Sequence, residues 1–428
     1  MMRAAAIVVL LLCGLPGCSF LGAPLRSEDS ATANRQRTLP QVVQKGKGVQ
    51  WVRFTPPTAG ALYSAIVPGP DGNLWFLDET GGGLVKMTLT GSVHEFSLSS
   101  VLTGSAVSMS VGSDHDFYIG DESSNVIRVT QTGNAQAFPI PSGDATSIDG
   151  MALGPDGNVW FTEFNHIAKI TPSGHITEFA YPSGFTTNQY GGVTAGSDGN
   201  VWFAQSSSNA IGRIAPSTGK IKMFVIPVQC TPAPVVLAKN GNVWFACLAN
   251  APLLGDITPA GKISTYPIGG AFSSNETEQF CAPGPDGEPW CASGNDGNVF
   301  RVNTTSHTVT TFTPPLGAGA RPDALATGSD GNVWVDSVGG EIDVLVPNPI
   351  VVAPDKLTFP ATGQMQTLTV SEHGTNAWSA KSSNAAVATV THGGSAKVFT
   401  VTSVGAGSCK ISISDNAGNS VAVKTTVK

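Results

Sequence analysis

Six side chains of this chain could do chemistry, and they sit at related places. Asp78, Asp121 and Glu163 each lie three residues after the aromatic of a repeated phrase. Asp149 and Asp323 each lie five residues before the Gly that opens such a phrase, and His166 follows Glu163 by three. Clustered carboxylates suit a hard cation such as Mg2+ or Ca2+, which takes oxygen ligands, or a cationic organic ligand. An imidazole beside them could serve as a general base. Such chemistry requires the six groups to converge, so the elements that carry them decide the matter.

The phrase is GPDGNLW at Gly69 to Trp75. It returns as GSDHDFY ending at Tyr118, GPDGNVW at Trp160, GSDGNVW at Trp202, AKNGNVW at Trp244, GPDGEPW at Trp290 and GSDGNVW at Trp334. Successive aromatics are 43, 42, 42, 42, 46 and 44 residues apart. A period of about 40–45 residues carrying several short strands predicts a β-propeller with one blade per repeat, hence seven blades. In the third repeat, Ser147 to Leu153 reads as the inner strand and Pro155-Asp156-Gly157 as the turn. Asn158 to Glu163, His166 to Thr171 and His175 to Ala180 read as the next three strands. Pro presets φ, Asp favours the turn, and Gly accepts the left-handed position. Trp160 and Phe161 then point to opposite faces, each toward a neighbouring blade.

Inner strands begin, and second strands end, at one mouth of the expected channel. Asp78, Asp121, Asp149, Glu163 and Asp323 are therefore expected along one arc of that mouth, with Tyr63, Tyr190, Phe164 and Arg321 close enough to flank a ligand. The seventh repeat lacks a fourth strand. An orphan strand, Val49 to Thr55, matches the outer-strand segments Thr177 to Pro182 and Thr310 to Pro315, and is expected to close the ring.

Charged residues make up 12% of the 428, well below the roughly 25% of an average soluble domain, and the net charge is −7. With no basic stripe, nucleic acid is not an expected partner. Arg3 precedes an apolar run, Ala4 to Leu12, too short to span a bilayer but suited to a secretory signal. The run ends in Leu15-Pro16-Gly17-Cys18, which resembles the lipobox of bacterial lipoproteins. That resemblance implies cleavage before Cys18, lipid on its thiol, and an extracytoplasmic, membrane-anchored protein of the outer membrane, periplasm or cell surface. Of the remaining cysteines, Cys281 and Cys291 flank the Pro285-Asp286-Gly287 turn symmetrically, so they should face each other across a hairpin and form a disulfide. Cys230 and Cys247 are a second candidate pair. No cysteine or histidine spacing suits structural zinc.

The repeat pattern stops near Pro347-Asn348-Pro349. Beyond it, the phrases TLTVSE, SSNAAVATV, FTVTSVGAG and ISISDNAGNS resemble bacterial Ig-like domains of group 2, which implies a small β-sandwich that spaces or adheres. The expected organisation is a signal peptide (1–17), a lipidated Cys with a flexible tether (18–48), the propeller (49–347) and the Ig-like domain (348–428).

The repeat itself, GPDGNVWFTE followed by KITPSGHITEF, resembles the virginiamycin B lyase (streptogramin lyase) family across all seven repeats. The resemblance implies a seven-bladed ring with a site at its channel. Members open a cyclic depsipeptide antibiotic by elimination: a base removes an α-proton while Mg2+ stabilises the developing charge. The family places His five residues before the repeat Gly in two adjacent blades, with Glu seven before that Gly and three after the Trp in one of them. Here the five-before positions are Ser64, Val107, Asp149, Gly191, Ala233, Gln279 and Asp323, and none of the seven-before positions is acidic. Only Glu163 matches. The reading is thus an all-β lipoprotein, a seven-bladed propeller closed by an N-terminal strand and followed by an Ig-like sandwich. It acts as a monomeric binding module for a small molecule, glycan or protein. The alternative is a diverged metal-dependent lyase using the acidic mouth, with His166 as base.

Overall fold

Alternating strands and turns account for nearly the whole of the computed structural model. It describes residues 41–428 apart from 47–48, 55–62, 80–81, 144–147, 149, 186–190, 248–252, 268–278, 295–296, 315–320, 338–339, 347–350, 372–377, 394–396 and 416–419. Each repeat forms one antiparallel sheet, numbered here 1 to 7 by the aromatics Trp75 to Trp334, with strands adjacent in chain order. In sheet 3 these are Met151–Leu153, Val159–Thr162, His166–Ile170 and Ile176–Ala180. Among the described residues the only helix is a single 3-10 turn, Ser206–Ser208.

The repeated phrase is a packing device. The turn Asp accepts from the indole four residues on, at 3.1 Å for Asp71 and Trp75, 2.8 Å for Asp156 and Trp160, and 3.0 Å for Asp198 and Trp202. In sheet 2 the Tyr118 hydroxyl donates to Asp114 instead. In sheets 1, 3 and 4 a basic residue on the third strand, Lys86, Lys169 or Arg213, lies opposite the Trp and reaches both groups. Lys169 sits 3.0 Å from the Asp156 carboxylate and 5.1 Å from the Trp160 ring centroid. The Gly that opens the phrase must lack a side chain, because a Cβ on Gly69 would stand 2.3 Å from the Trp75 indole nitrogen. Ala238 replaces it in sheet 5, where the Trp244–Asn240 bond is longer, 3.4 Å.

Each Trp packs on the following sheet, as expected for Trp160. Its ring joins Val193, Val201 and Phe203 of sheet 4, while Phe161 faces Tyr118, Val126 and Ile140 on the sheet 2 side. Trp334 of sheet 7 packs with Ile66, Leu74 and Phe76 of sheet 1, so the series closes on itself.

Closure uses the N-terminal strand Val49–Phe54, which pairs with Ile342–Val346 as the orphan-strand pattern suggests. Phe54 stacks on Trp334 at 5.1 Å, the place that outer-strand Phe96, Phe179, Phe224 and Phe312 take on their own Trp rings. Arg53 lies opposite Asp343 and holds it through two bonds, 2.9 and 3.1 Å, beneath complete burial of the carboxylate. One expectation is corrected here. Gln41–Gly46, expected within the flexible tether, forms a further strand on Val49–Phe54 and makes sheet 7 five-stranded.

The C-terminal segment forms two four-stranded sheets. One orders Val351–Ala353, Met365–Ser371, Val398–Ser403 and Ala388–His392; the other orders Lys356–Phe359, Ser420–Val427, Gly407–Asp415 and Trp378–Ser382. Both contribute to one core that includes Leu368, Phe399, Val401, Phe359, Ile411 and Ile413. Cys409 is free and buried at its edge.

Candidate functional site

The three-after positions end the second strand of each sheet, except in sheet 3, where Glu163 follows the strand's last residue, Thr162. They hold Asp78, Asp121, Glu163, Gln205, Cys247, Ser293 and Ser337, and all seven are buried. The physical reason is strand parity: a residue three after the Trp shares its face with the residue one after it, and that face packs on a neighbouring sheet. Asp78 and Asp121 are thus not solvent-facing carboxylates of an open mouth. Asp121 has no exposed surface, and its oxygens accept from the Ser123 and Asn125 amides at 2.9 and 2.8 Å and from Thr103 Oγ1 and Asn125 Nδ2 at 3.3 Å each. That pattern pins the turn between two strands.

Asp149 and Tyr190 lie outside the described residues, as does Cys18; Asp323 lies in the strand Pro322–Thr327, but its side chain is outside them. Tyr63, expected to flank a ligand, is buried against Phe76 with centroids 5.4 Å apart. Phe164 is exposed, 43%, at the tip of the hairpin between Glu163 and His166.

One cluster does form. Among the described residues, Glu163, His166 and Glu178 are the one set of His, Cys, Asp or Glu side chains whose donor atoms all lie within 4.8 Å of one another. His166 Nδ1 is 3.8 Å from Glu163 Oε2. The Glu163 amide donates to the His166 carbonyl at 2.8 Å, which makes the hairpin tight. Tyr181 braces it, its hydroxyl on the Glu163 carbonyl at 3.3 Å and its amide on the Asn165 carbonyl at 3.0 Å. Glu178 stands opposite Ala168 on the outer strand, on the face that His166 shares, and accepts from the Ser142 amide at 3.3 Å. Glu178 was not among the residues singled out from the sequence. The signal was available in the register, since Glu163, His166, Ala168 and Glu178 have one parity across three adjacent strands.

Cysteines occupy the equivalent place in sheet 5. Cys247 is bonded to Cys230, with Cα atoms 5.0 Å apart, and Cys281 to Cys291 in sheet 6, with Cα atoms 4.1 Å apart. Cys281 and Cys291 are direct cross-strand partners.

At the opposite end of the sheets, the turn carboxylates carry the charge. Burial pushes Asp71 up, but hydrogen bonds from Lys86, Asn73 and Trp75 together outweigh it and hold the group at about 2. Asp156, Asp198 and Asp286 are likewise depressed against the opposing effect of burial by their Trp, Asn or amide, and basic partners.

These repeated sheets, packed in cyclic succession, define the propeller class. The chain matches the virginiamycin B lyase family over residues 31–251 and 182–345, and it belongs to that family. A streptogramin B lyase structure is similar at 24% identity and a TM-score of 0.63, covering 70% of this chain and 98% of that one. A catalytically inactive histidine-to-alanine variant of virginiamycin B lyase from Staphylococcus aureus, solved with quinupristin, aligns at 22% identity and a TM-score of 0.61, covering 69% and 99%. The WD40 β-propeller domain of Doa1 shares the architecture at 14% identity and a TM-score of 0.55, covering 70% and 97%. No curated protein matches the chain.

Proposed function

We propose that this chain is an extracytoplasmic lipoprotein whose seven sheets are the blades of one lyase-family ring, and that the ring binds a ligand or partner without the family's elimination chemistry. The C-terminal sandwich, Ig-like in its phrases, spaces or adheres. The observation that carries this reading concerns the one family position that is matched. Glu163 is 1% exposed and faces the neighbouring sheet, and no five-before position offers a His. In the S. aureus enzyme, replacing one histidine by alanine is enough for catalytic inactivity. Two disulfides support an oxidising compartment, in keeping with the apolar leader and Cys18.

The test is incubation of the purified protein with quinupristin and Mg2+. Elimination would open the ring without changing its mass, so the product would appear as a later- or earlier-eluting isomer with a new free carboxyl. No such isomer is expected, while retention of the unaltered depsipeptide, or of a glycan or peptide from a panel, on immobilised protein is. Formation of the isomer would replace the binding reading with that of a diverged lyase.

A further inference from the structure

We propose that Glu163, His166 and Glu178 form a site for a first-row divalent transition cation of the Zn2+ type, at the edge of the interface between sheets 2 and 3. The set is independent of the ligand-binding reading. It shares Glu163 with the three-after position, but draws its other donors from the third and fourth strands of the same sheet.

The argument starts from what the interface would otherwise contain. The face of sheet 3 toward sheet 2 is apolar for most of its length: Val159, Phe161, Ala168, Ile170 and Ile176 join Tyr118, Val126, Ile140 and Ile148 in one core. At its end this face changes to two carboxylates and an imidazole. Two carboxylates so close, one of them inside the protein, favour a cation between them. Ala168, directly opposite Glu178, leaves the space between Glu178 and His166 free of a larger side chain.

A second observation points to a ligand. His166 Nδ1 is shut off from solvent and makes no hydrogen bond among the described residues, although it faces Glu163 Oε2 at 3.8 Å. A ring nitrogen without a partner beside a carboxylate is the arrangement that a metal ion joins, since neutral imidazole offers it a lone pair. Donors at about 2.1 Å from a tetrahedral ion lie roughly 3.4 Å from one another, so a small contraction of the observed spacing would seat one. One nitrogen and two carboxylate oxygens suit Zn2+ or its neighbours over Mg2+ and Ca2+, which take all-oxygen sets. The supports are also in place: the Ser142 amide orients Glu178, and Tyr181 fixes the hairpin that carries Glu163 and His166. Three protein donors leave a fourth position for water or a ligand, next to the exposed Phe164.

The experiment uses tag-free protein stripped with EDTA and titrated with Zn2+ by calorimetry, and with Co2+ by visible absorption. One Zn2+ per chain is expected, with Co2+ bands of a four- or five-coordinate site, and millimolar Mg2+ or Ca2+ should not displace either ion. His166→Ala and Glu178→Gln, each shown to be folded by circular dichroism, should each weaken Zn2+ binding by about 100-fold or more. Glu178 lies on the partly exposed outer strand, and Gln can still accept from the Ser142 amide, so that variant separates metal loss from misfolding. Absence of stoichiometric Zn2+ binding would overturn the proposal and leave an imidazole bridging two carboxylates. Parent-like binding by both variants would also overturn it, and so would tighter binding of Mg2+ or Ca2+ than of Zn2+.

Discussion

The hydroxyl of Ser329 donates to the carbonyl oxygen of Gly72, 2.7 Å away and 257 positions earlier in the chain, and so ties the turn of the last repeat to that of the first. The same bond links Ser113 to Gly157 and Ser197 to Gly241, each at 2.6 Å, and in sheet 5 the Lys239 amide reaches the Gly287 carbonyl at 2.8 Å. The donor is always the second residue of the phrase. In the first, third and sixth repeats that residue is Pro70, Pro155 or Pro285, which has neither hydroxyl nor N–H to give. The alternation of GSDG and GPDG therefore records which turn donates and which only accepts.

Ser329→Ala removes the bond that spans the join. An exposed hydrogen bond of this kind contributes about 0.5–1.5 kcal/mol, so the urea midpoint should fall measurably. Ser197→Ala removes an equivalent bond between covalently consecutive sheets. Proteolysis of the N-terminal strand should rise only in the Ser329 variant, and equal rates in both would refute a special role at the join.

Arg53 and Asp343 test the same closure more severely. Burial raises the Asp343 pKa, and Arg53 opposes that shift through hydrogen bonds and charge. Removing Arg53 leaves a buried, uncompensated carboxylate, and Arg53→Ala should cost about 3–5 kcal/mol at neutral pH. The sign with pH follows from the raised value. The contribution of Asp343 is full below the ordinary carboxylate range and is lost as pH rises through its folded pKa. Without Arg53 that folded pKa rises further, so the penalty of the variant should be larger at pH 7 than at pH 5. Arg53→Leu combined with Asp343→Leu should recover most of the loss. A penalty independent of pH, or no recovery in the double variant, would contradict this account.

The sequence carried the repeated sheets plainly because one phrase encodes a complete set of contacts: turn, indole acceptor, and small residue under the indole. It carried the closing strand because Phe54 repeats the outer-strand aromatic. It did not carry Gln41–Gly46, a polar edge strand without alternation, whose pairing only the partner strand reveals. The burial of three of the acidic residues was not legible for a different reason. Chain order gave the correct end of the strand for Asp78, Asp121 and Glu163, but their parity with Phe76, Ile119 and Phe161 turns them into the interfaces between sheets. Glu178 was missed because its nearness to Glu163 depends on the register of three strands together.

Acid stability should follow the turn carboxylates. Groups with depressed folded pKa values contribute stability that is present above the ordinary carboxylate range and lost as pH falls through the folded values. Asp71, held at about 2, defines the lower limit, and Asp156, Asp198 and Asp286 act in the same direction. Asp343 and Asp116, both raised first by burial, act in the opposite direction but are two groups against four. The melting temperature should therefore decline between pH 4 and pH 2, and Asp71→Asn with Asp156→Asn should flatten that decline while lowering stability at pH 7. An unchanged slope in the double variant would show that these bonds do not set the acid limit.

Thiol chemistry supplies the last prediction. With Cys230–Cys247 and Cys281–Cys291 bonded, Cys409 is the free cysteine of the described residues, and it is buried. If the leader is cleaved and Cys18 carries lipid, the mature protein should show no reactive thiol when folded and one when denatured without reductant. A Cys18→Ala variant that is exported should leave the membrane fraction with the same count. The two loops close 17 and 10 residues, and a loop near 15 residues is worth about 3 kcal/mol of denatured-state entropy. Reduction should therefore lower the melting temperature, and Cys230→Ser with Cys247→Ser should lower it without changing the thiol count. Three or more thiols in the denatured, unreduced parent would mean that at least one of the bridges does not form in the cell.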